Sequence, residues 1–443
     1  MKKHLKLIFC VISLIFVSLY GVIKYESNIL PEVFKIYYDE SPTFNIFPFY
    51  VSVKKRIQSK SLNCLSQNKN TGNIYTLENG YSPTKNYEGE IKLLNIFPIK
   101  SVTVSVIPEQ KVTLCGTPFG IKIYADGAII IGVSEVPTSH GSVSPAASCG
   151  LQKGDVITNI NDTNIKTNDE LEKIIENSGG KELKVCAKRK NTEFKTVLKP
   201  QISIDDEKYH AGIWVRDSCA GIGTLTFKNS SNNSFAGLGH GICDSDTHEI
   251  MPLYKGEIVE ASILDIQKGY HGNPGELKGS FINSKPLGTV HSNSDMGIYG
   301  SLNEHENEND NNKNGKGGAE NISPTHQIKV ATKQNVVKGP AKLLTTLDGT
   351  KPQYYDINID SVNYNKNIPT QNIKISVKDE TLLQKTGGIV QGMSGSPIIQ
   401  NGALVGAVTH VLINNPKKGY AIFAETMLTN SNNIITSSYK NAS

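Results

Sequence analysis

From residue 201 to residue 443 the chain is written in short apolar runs separated by Gly, Pro and Asn, and no long helix is expected there. That pattern confines more than half of the molecule to short strands and tight turns. Composition points the same way, because Gly, Tyr, Asn, Thr and Val are plentiful and long Ala/Leu/Glu/Lys runs are absent. A length of 443 residues predicts two or three domains with sizeable cores, and the expected fold class is mainly β. Charge is near balance, 46 Lys+Arg against 41 Asp+Glu, so nothing suggests a nucleic-acid partner.

The N-terminus sets the compartment. Lys2, Lys3 and Lys6 precede a charge-free run from Leu7 to Ile23, about 17 residues, which suits a signal peptide or a signal anchor. No small-x-small cleavage site follows; the run passes through Ser18-Leu19-Tyr20-Gly21 into Val22-Ile23-Lys24. Residues 1–24 therefore read as a membrane helix, an uncleaved anchor with its lysines inside, and a cleaved signal is the other reading. Everything from Lys24 onward is expected outside the cytoplasmic face. Of the seven cysteines, Cys10 lies in this run, and Cys64, Cys115, Cys149, Cys186, Cys219 and Cys243 show no C-x-x-C spacing. They are expected to be mostly free or buried, with no bridge assigned and no metal site.

Residues 25–100 alternate short β-like pieces, such as Phe49-Tyr50-Val51-Ser52-Val53, with polar stretches such as Ser66-Gln67-Asn68-Lys69-Asn70. Either a small β module or a partly ordered stalk fits, and such a stalk is where proteolysis concentrates. Residues 303–321 hold seven Asn, five Asp/Glu and four Gly/Ala, and read as a solvated, disordered insertion.

Between 101 and 200 the pattern sharpens. Phe119-Gly120-Ile121-Lys122-Ile123-Tyr124 alternates, Ala125-Asp126-Gly127 turns, and Ala128 to Val133 reads as a buried strand. Gly150-Leu151-Gln152-Lys153-Gly154-Asp155-Val156-Ile157 follows. Next comes a helix opened by Thr167-Asn168-Asp169-Glu170, with Leu171, Ile174 and Ile175 on one face. A strand pair then covers Leu183 to Leu198. These motifs in this order resemble a PDZ domain. The resemblance implies a groove where a peptide adds a strand to a sheet edge while backbone N–H groups hold its terminal carboxylate. The loop expected to supply those groups is Phe119-Gly120-Ile121, with Gly120 admitting close backbone approach.

The strongest chemical signal is Gly392-Met393-Ser394-Gly395-Ser396-Pro397, followed by a strand, an Asn401-Gly402 turn and a second strand. A nucleophilic serine needs its hydroxyl held at a tight turn, where glycines let N–H groups converge on an oxyanion. Ser394 is the candidate nucleophile, and the N–H groups of Gly392 and Ser394 are the candidate oxyanion hole. Ser396 is the rival hydroxyl. The arrangement resembles chymotrypsin-like peptidases, which implies a double β-barrel over residues 201–443. His240 ends a probable strand among small residues, in Gly237-Leu238-Gly239-His240-Gly241-Ile242-Cys243. It precedes Ser394 by about 150 residues, enough for base and nucleophile to sit on separate barrels. His410, on an apolar strand, reads as a core or pocket histidine. On spacing the third group stays open between Asp295, where topology would keep it, and Asp379, shortly before Ser394; Asp244 and Asp246 read as turn caps.

The whole order is similar to the SpoIVB serine peptidase family of endospore-forming bacteria over residues 101–443. An apolar N-terminus, a PDZ-like segment, Gly239-His240-Gly241-Ile242, the run from Gly387 to Pro397 and the tail Gly406-Ala407-Val408-Thr409-His410-Val411 carry the likeness. It implies a triad of His240, Asp379 and Ser394 and acyl-enzyme chemistry without cofactor or metal. It also implies a self-processing endopeptidase exported from the forespore into the intermembrane space. Such an enzyme cuts its own N-terminal region, then a membrane-bound regulator of an intramembrane protease, so that the late mother-cell sigma factor precursor is processed. The alternative is a catalytically inactive PDZ-containing envelope adaptor that captures peptides and leaves Ser394 unreactive. A high-temperature-requirement-type protease would place the PDZ segment after the peptidase, and here it comes before.

Overall fold

The computed structural model describes residues 2–38, 40, 44–46, 49–56, 85–190, 192–303 and 327–441. Residues Lys2–Ile29 form one helix, α1. Phe9, Leu14, Val17 and Tyr20 stand exposed on it. Among the described residues, however, no helix is long and apolar enough to cross a membrane. The expected membrane-spanning helix is therefore not borne out among the described residues.

Behind α1 lies a five-stranded sheet of β1 (Val33–Tyr37), β2 (Phe44–Ile46), β3 (Phe49–Arg56), β4 (Lys85–Leu93) and β5 (Phe97–Ile107), in the order β1-β5-β4-β3-β2. Alternate residues turn to one face, so Phe34, Ile36, Phe49, Val51, Ile91, Val102 and Val104 form its core. The sheet docks on the rest of the chain, where Tyr37 Oη donates to the Val330 carbonyl at 2.5 Å and Lys35 pairs with Glu425 at 3.7 Å. The polar stretch 66–70 and the expected insertion, apart from Asn303, lie outside the described residues.

After β6 (Lys111–Leu114), strand β7 (Pro118–Val133) departs most from the expected plan. A compact unit follows it. This contains β8 (Val136–Thr138), β9 (Gly141–Val143), α2 (Pro145–Ser148), β10 (Asp155–Ile160), β11 (Thr163–Asn164), α3 (Asn168–Glu176), β12 (Leu183–Arg189) and β13 (Thr192–Leu198). Then come β14 (Gln201–Ile202), β15 (Tyr209–His210) and the long β16 (Ile213–Asn229). β7 and β16 pair antiparallel from Val133↔Ile213 to Pro118↔Thr224, a single ribbon that serves two bodies. At its tip Ala128 and Ile130 join Ile157, Leu171, Ile175 and Val185 in the PDZ core. At its base Phe119, Ile121 and Ile123 pack with Phe235, Leu238 and Ile258 in a different core. The register shifts twice between Trp214 and Ser218, where the ribbon passes from one body to the other. Helix α3 starts where the sequence says, because Thr167 and Glu170 complete a capping box.

β17 (Ser234–Gly237), β18 (Lys255–Gln267), β19 (Glu276–Ser294) and β20 (Gly297–Leu302) close a first barrel. Its strands run β7-β16-β17-β20-β19-β18 and back to β7. After β21 (Gln327–Val330), which bridges β6 and β26 below, come β22 (Gly339–Thr345), β23 (Gln353–Val362), β24 (Ile373–Val377), α4 (Glu380–Thr386), β25 (Pro397–Gln400), β26 (Ala403–Val411), β27 (Lys418–Phe423) and α5 (Ala424–Asn441). The second barrel runs β22-β23-β24-β27-β26-β25 and back to β22. Leu343, Ile357, Ile375, Ile398 and Val405 fill it, each worth about 1.5–3 kcal/mol on burial. Leu114, Phe227, Tyr299, Leu404, Ile422 and Met427 form a third cluster that joins strands of both barrels to α5. The fold is mainly β, a PDZ domain set into a protease-like pair of barrels.

Candidate active site

The Ser394 turn is shaped by two glycines. Gly392 and Gly395 both have φ of +91°, which L side chains rarely adopt. At Gly395 space forbids a side chain as well, since a Cβ would stand 2.0 Å from the Thr224 carbonyl oxygen and 2.5 Å from Leu238 N. Within the turn, the N–H groups of Met393, Gly395 and Ser396 donate to the carbonyls of Val390, Val408 and Met393. Among the described residues the N–H groups of Gly392 and Ser394 donate to none. Ser394 is half-buried and its Oγ donates to the Thr409 carbonyl at 2.9 Å. Ser396 is wholly buried, with its Oγ 2.9 Å from Thr345 Oγ1, so the rival hydroxyl is out of a substrate's reach.

His240 follows β17, where Leu238 and Gly239 take positive φ and turn the chain. Its Nδ1 lies 2.8 Å from the Gly241 carbonyl, which can only accept, so Nδ1 carries the proton and Nε2 keeps its lone pair. Burial holds the imidazole below its ordinary value, and the bond to Gly241 acts weakly against this. The His410 ring sits 5.1 Å away, centre to centre, tilted by 35°. Burial, and then the charge of His240, push His410 down to about 4. Ser394 and His240 thus meet on β26: one bonds Thr409, the other packs on His410. No hydrogen bond joins His240 to Ser394 among the described residues, as is common before substrate arrives.

Asp379 is not brought to His240. It is the N-cap of α4, where its Oδ1 accepts from Leu382 N at 3.0 Å and its Oδ2 from Asp356 N at 3.3 Å. Asp295 lies in the exposed turn between β19 and β20. A Cβ at Gly241 would stand 2.8 Å from the Ser294 carbonyl, so the residue after His240 comes close to this turn, but among the described residues no contact joins the Asp295 carboxylate to His240. Burial, and then the Asp295 charge, raise the Cys243 thiol beside it. Asn293 holds this loop, its Oδ1 accepting from Ile242 N at 2.8 Å and its Nδ2 donating to the Ile242 carbonyl at 2.9 Å. Asp244 caps its turn as expected and is bound by Arg216. Six cysteines, Cys10, Cys115, Cys149, Cys186, Cys219 and Cys243, are free among the described residues.

The expected carboxylate loop needs correction. Phe119, Gly120 and Ile121 lie inside the first barrel, and Phe119 and Ile121 are buried in its core. Gly120 is flanked by Ile222 on one side and Val259 on the other, which leaves no edge for a peptide strand. A Cβ at Gly120 would stand 2.4 Å from the Phe281 ring, so this glycine serves packing. The PDZ unit has its cavity elsewhere, about 570 Å³ between α3 and the start of β16, lined by Leu171, Ile175, Tyr209, Ile213 and Trp214 among others. Asn168 sits at its margin, donating through Nδ2 to the Val215 carbonyl at 3.3 Å while its Oδ1 is buried without a partner. Sequence reasoning missed this strand because Ala211-Gly212-Ile213-Trp214-Val215 follows the PDZ motifs instead of preceding them. A Gly before an apolar alternation was the available signal.

A family model described as SpoIVB peptidase S55 matches residues 207–428, and one described as a PDZ domain matches residues 142–188. None of the curated proteins matches the chain. Among solved structures, the PDZ domain of the SdrC-like protein from Listeria monocytogenes is similar at 24% identity. That likeness covers 21% of this chain and 90% of that one, with a TM-score of 0.17. The HtrA-type protease AlgW with decapeptide is similar at 10% identity, over 50% of this chain and 55% of that one, with a TM-score of 0.28.

Proposed function

The chain belongs to the SpoIVB peptidase S55 family and is a serine peptidase with a PDZ domain, and from that premise we propose a self-processing signalling endopeptidase of sporulation. Ser394 is its nucleophile and His240 its base. Nε2 of His240 takes the hydroxyl proton as Oγ attacks the scissile carbonyl, then returns it to the leaving amine. The oxyanion sits on the N–H groups of Gly392 and Ser394. The observation that carries this reading is that, among the described residues, these two N–H groups alone in the turn lack a partner, beside a hydroxyl that bonds Thr409 of β26, next in sequence to the His410 on which His240 packs. The Gly241 carbonyl holds the Nδ1 proton and with it the orientation of the imidazole; the family resemblance implied Asp379 as the orienting carboxylate, with Asp295 its rival, and the capping contacts of Asp379 weigh against it.

The groove between α3 and β16 receives a peptide as an added strand, with Asn168 Oδ1 as a waiting acceptor. The protein is exported from the forespore and lies on the membrane surface through α1, whose exposed apolar side chains and leading lysines suit an interfacial helix. It cuts its own N-terminal region, then a membrane-bound regulator of an intramembrane protease, so that the late mother-cell sigma factor precursor is processed. The test is self-cleavage of the full chain in detergent. Ser394→Ala should abolish it, and processing of that variant at the parent rate would overturn the proposal.

A further inference from the structure

Thr224 sits on β16 with 3% of its surface exposed, and every polar group it has is used between the two halves of the site. Its carbonyl accepts from Leu238 N at 3.3 Å, two residues before His240. Its N–H donates to the Ser394 carbonyl at 3.0 Å. Its Oγ1 donates to the Gly392 carbonyl at 2.9 Å. Two residues on, and so on the same face of the strand, the buried Thr226 Oγ1 donates to the Gly395 carbonyl at 2.7 Å. We infer that Thr224 is the positioning residue of this serine peptidase, tying the nucleophile turn to the histidine strand and fixing the peptide between Gly392 and Met393. The inference rests on the roles proposed for Ser394 and His240.

The hydroxyl matters more than the two backbone bonds, which any residue could supply. The Gly392–Met393 peptide joins the two peptide units that carry the N–H groups facing the oxyanion, so its orientation sets the backbone angles that aim both. Glycine at position 392 gives that peptide little conformational preference of its own. A bond from a β-branched side chain, stiff about χ1, selects one orientation of the Gly392 carbonyl. Ser396 Oγ, 3.5 Å from Thr224 Oγ1, and Thr345 beyond it close the cluster from behind. Thr224 touches no reacting atom and acts through Gly392.

The test uses the full chain, a fluorophosphonate probe and the thermal midpoint, with Thr224→Val and Thr224→Ser beside Ser394→Ala. Removing the hydroxyl should slow phosphonylation about 100-fold, the scale of a small misplacement at a reacting centre. Thr224→Ser, which keeps the hydroxyl and loses only a methyl, should label within about threefold of the parent. Labelling of Thr224→Val at the parent rate overturns the inference, and so does a loss in Thr224→Ser as large as in Thr224→Val. Should Thr224→Val not fold, Thr224→Ser decides alone, and a rate about tenfold or more below the parent sinks the idea. Parent-level labelling of Ser394→Ala would instead remove the assignment of the nucleophile.

Discussion

Replacing Asp379 by Asn separates a helix cap from a triad carboxylate. Asp379 gives Oδ1 to Leu382 N at 3.0 Å and Oδ2 to Asp356 N at 3.3 Å. Asparagine keeps the first of these and caps as well as aspartate, so the loss is the longer bond and the charge at the start of α4, about 0.3–1 kcal/mol. Asp379→Ala removes the cap itself and costs about 1 kcal/mol, a fall of about 2–4 °C in the thermal midpoint for a body of this size. Were Asp379 the group that orients His240, Asp379→Asn would lose about 10⁴ in rate by supporting the wrong tautomer. The expected result is phosphonylation within about fivefold of the parent for Asp379→Asn, because the Gly241 carbonyl already holds the Nδ1 proton of His240. A thousandfold loss in Asp379→Asn with an unmoved midpoint would refute the reasoning and restore Asp379 to the triad.

The histidine predicts the acid limb of the rate profile. Because burial lowers the His240 value, its neutral form persists below the ordinary midpoint, and the labelling rate should fall only as pH drops beneath about 6.5; a midpoint above 7 would contradict this. Gly120→Ala should lower the midpoint through overpacking against Phe281, a cost of about 1–3 kcal/mol, without changing capture of peptides with free C-terminal carboxylates in fluorescence anisotropy. Trp214→Glu, an exposed side chain of the α3 groove, should do the reverse and weaken capture while Ser394 still labels and the midpoint holds. Ser396→Ala leaves the Thr345 hydroxyl buried with its partner gone, costing about 1–3 kcal/mol in chemical denaturation, and should retain labelling of Ser394.

Legibility followed locality. Ser394 and the two oxyanion N–H groups lie within three residues, and glycine spacing alone suggests the turn that exposes them. His240 was legible as the end of a strand among small residues. Asp379 reads two ways, because an Asp ahead of Glu380 and Leu382 writes a helix cap as readily as a catalytic carboxylate. The alternation from Phe119 to Ile123 announces a strand but not which of two cores its inner face serves, and the ribbon of β7 and β16 serves both. The PDZ groove was therefore sought at the wrong end of that ribbon. Thr224 and Asn293 left no trace, since each acts on a backbone carbonyl or N–H far away in sequence.

The central claim is that Ser394 is the reacting hydroxyl and His240 its base. Peptide mapping by mass spectrometry after fluorophosphonate treatment of the full chain tests it most directly. The account predicts a single adduct, on Ser394, that disappears in Ser394→Ala and forms at least about 10³-fold more slowly in His240→Ala. An adduct on Ser396, or labelling of Ser394 that does not depend on His240, would contradict it.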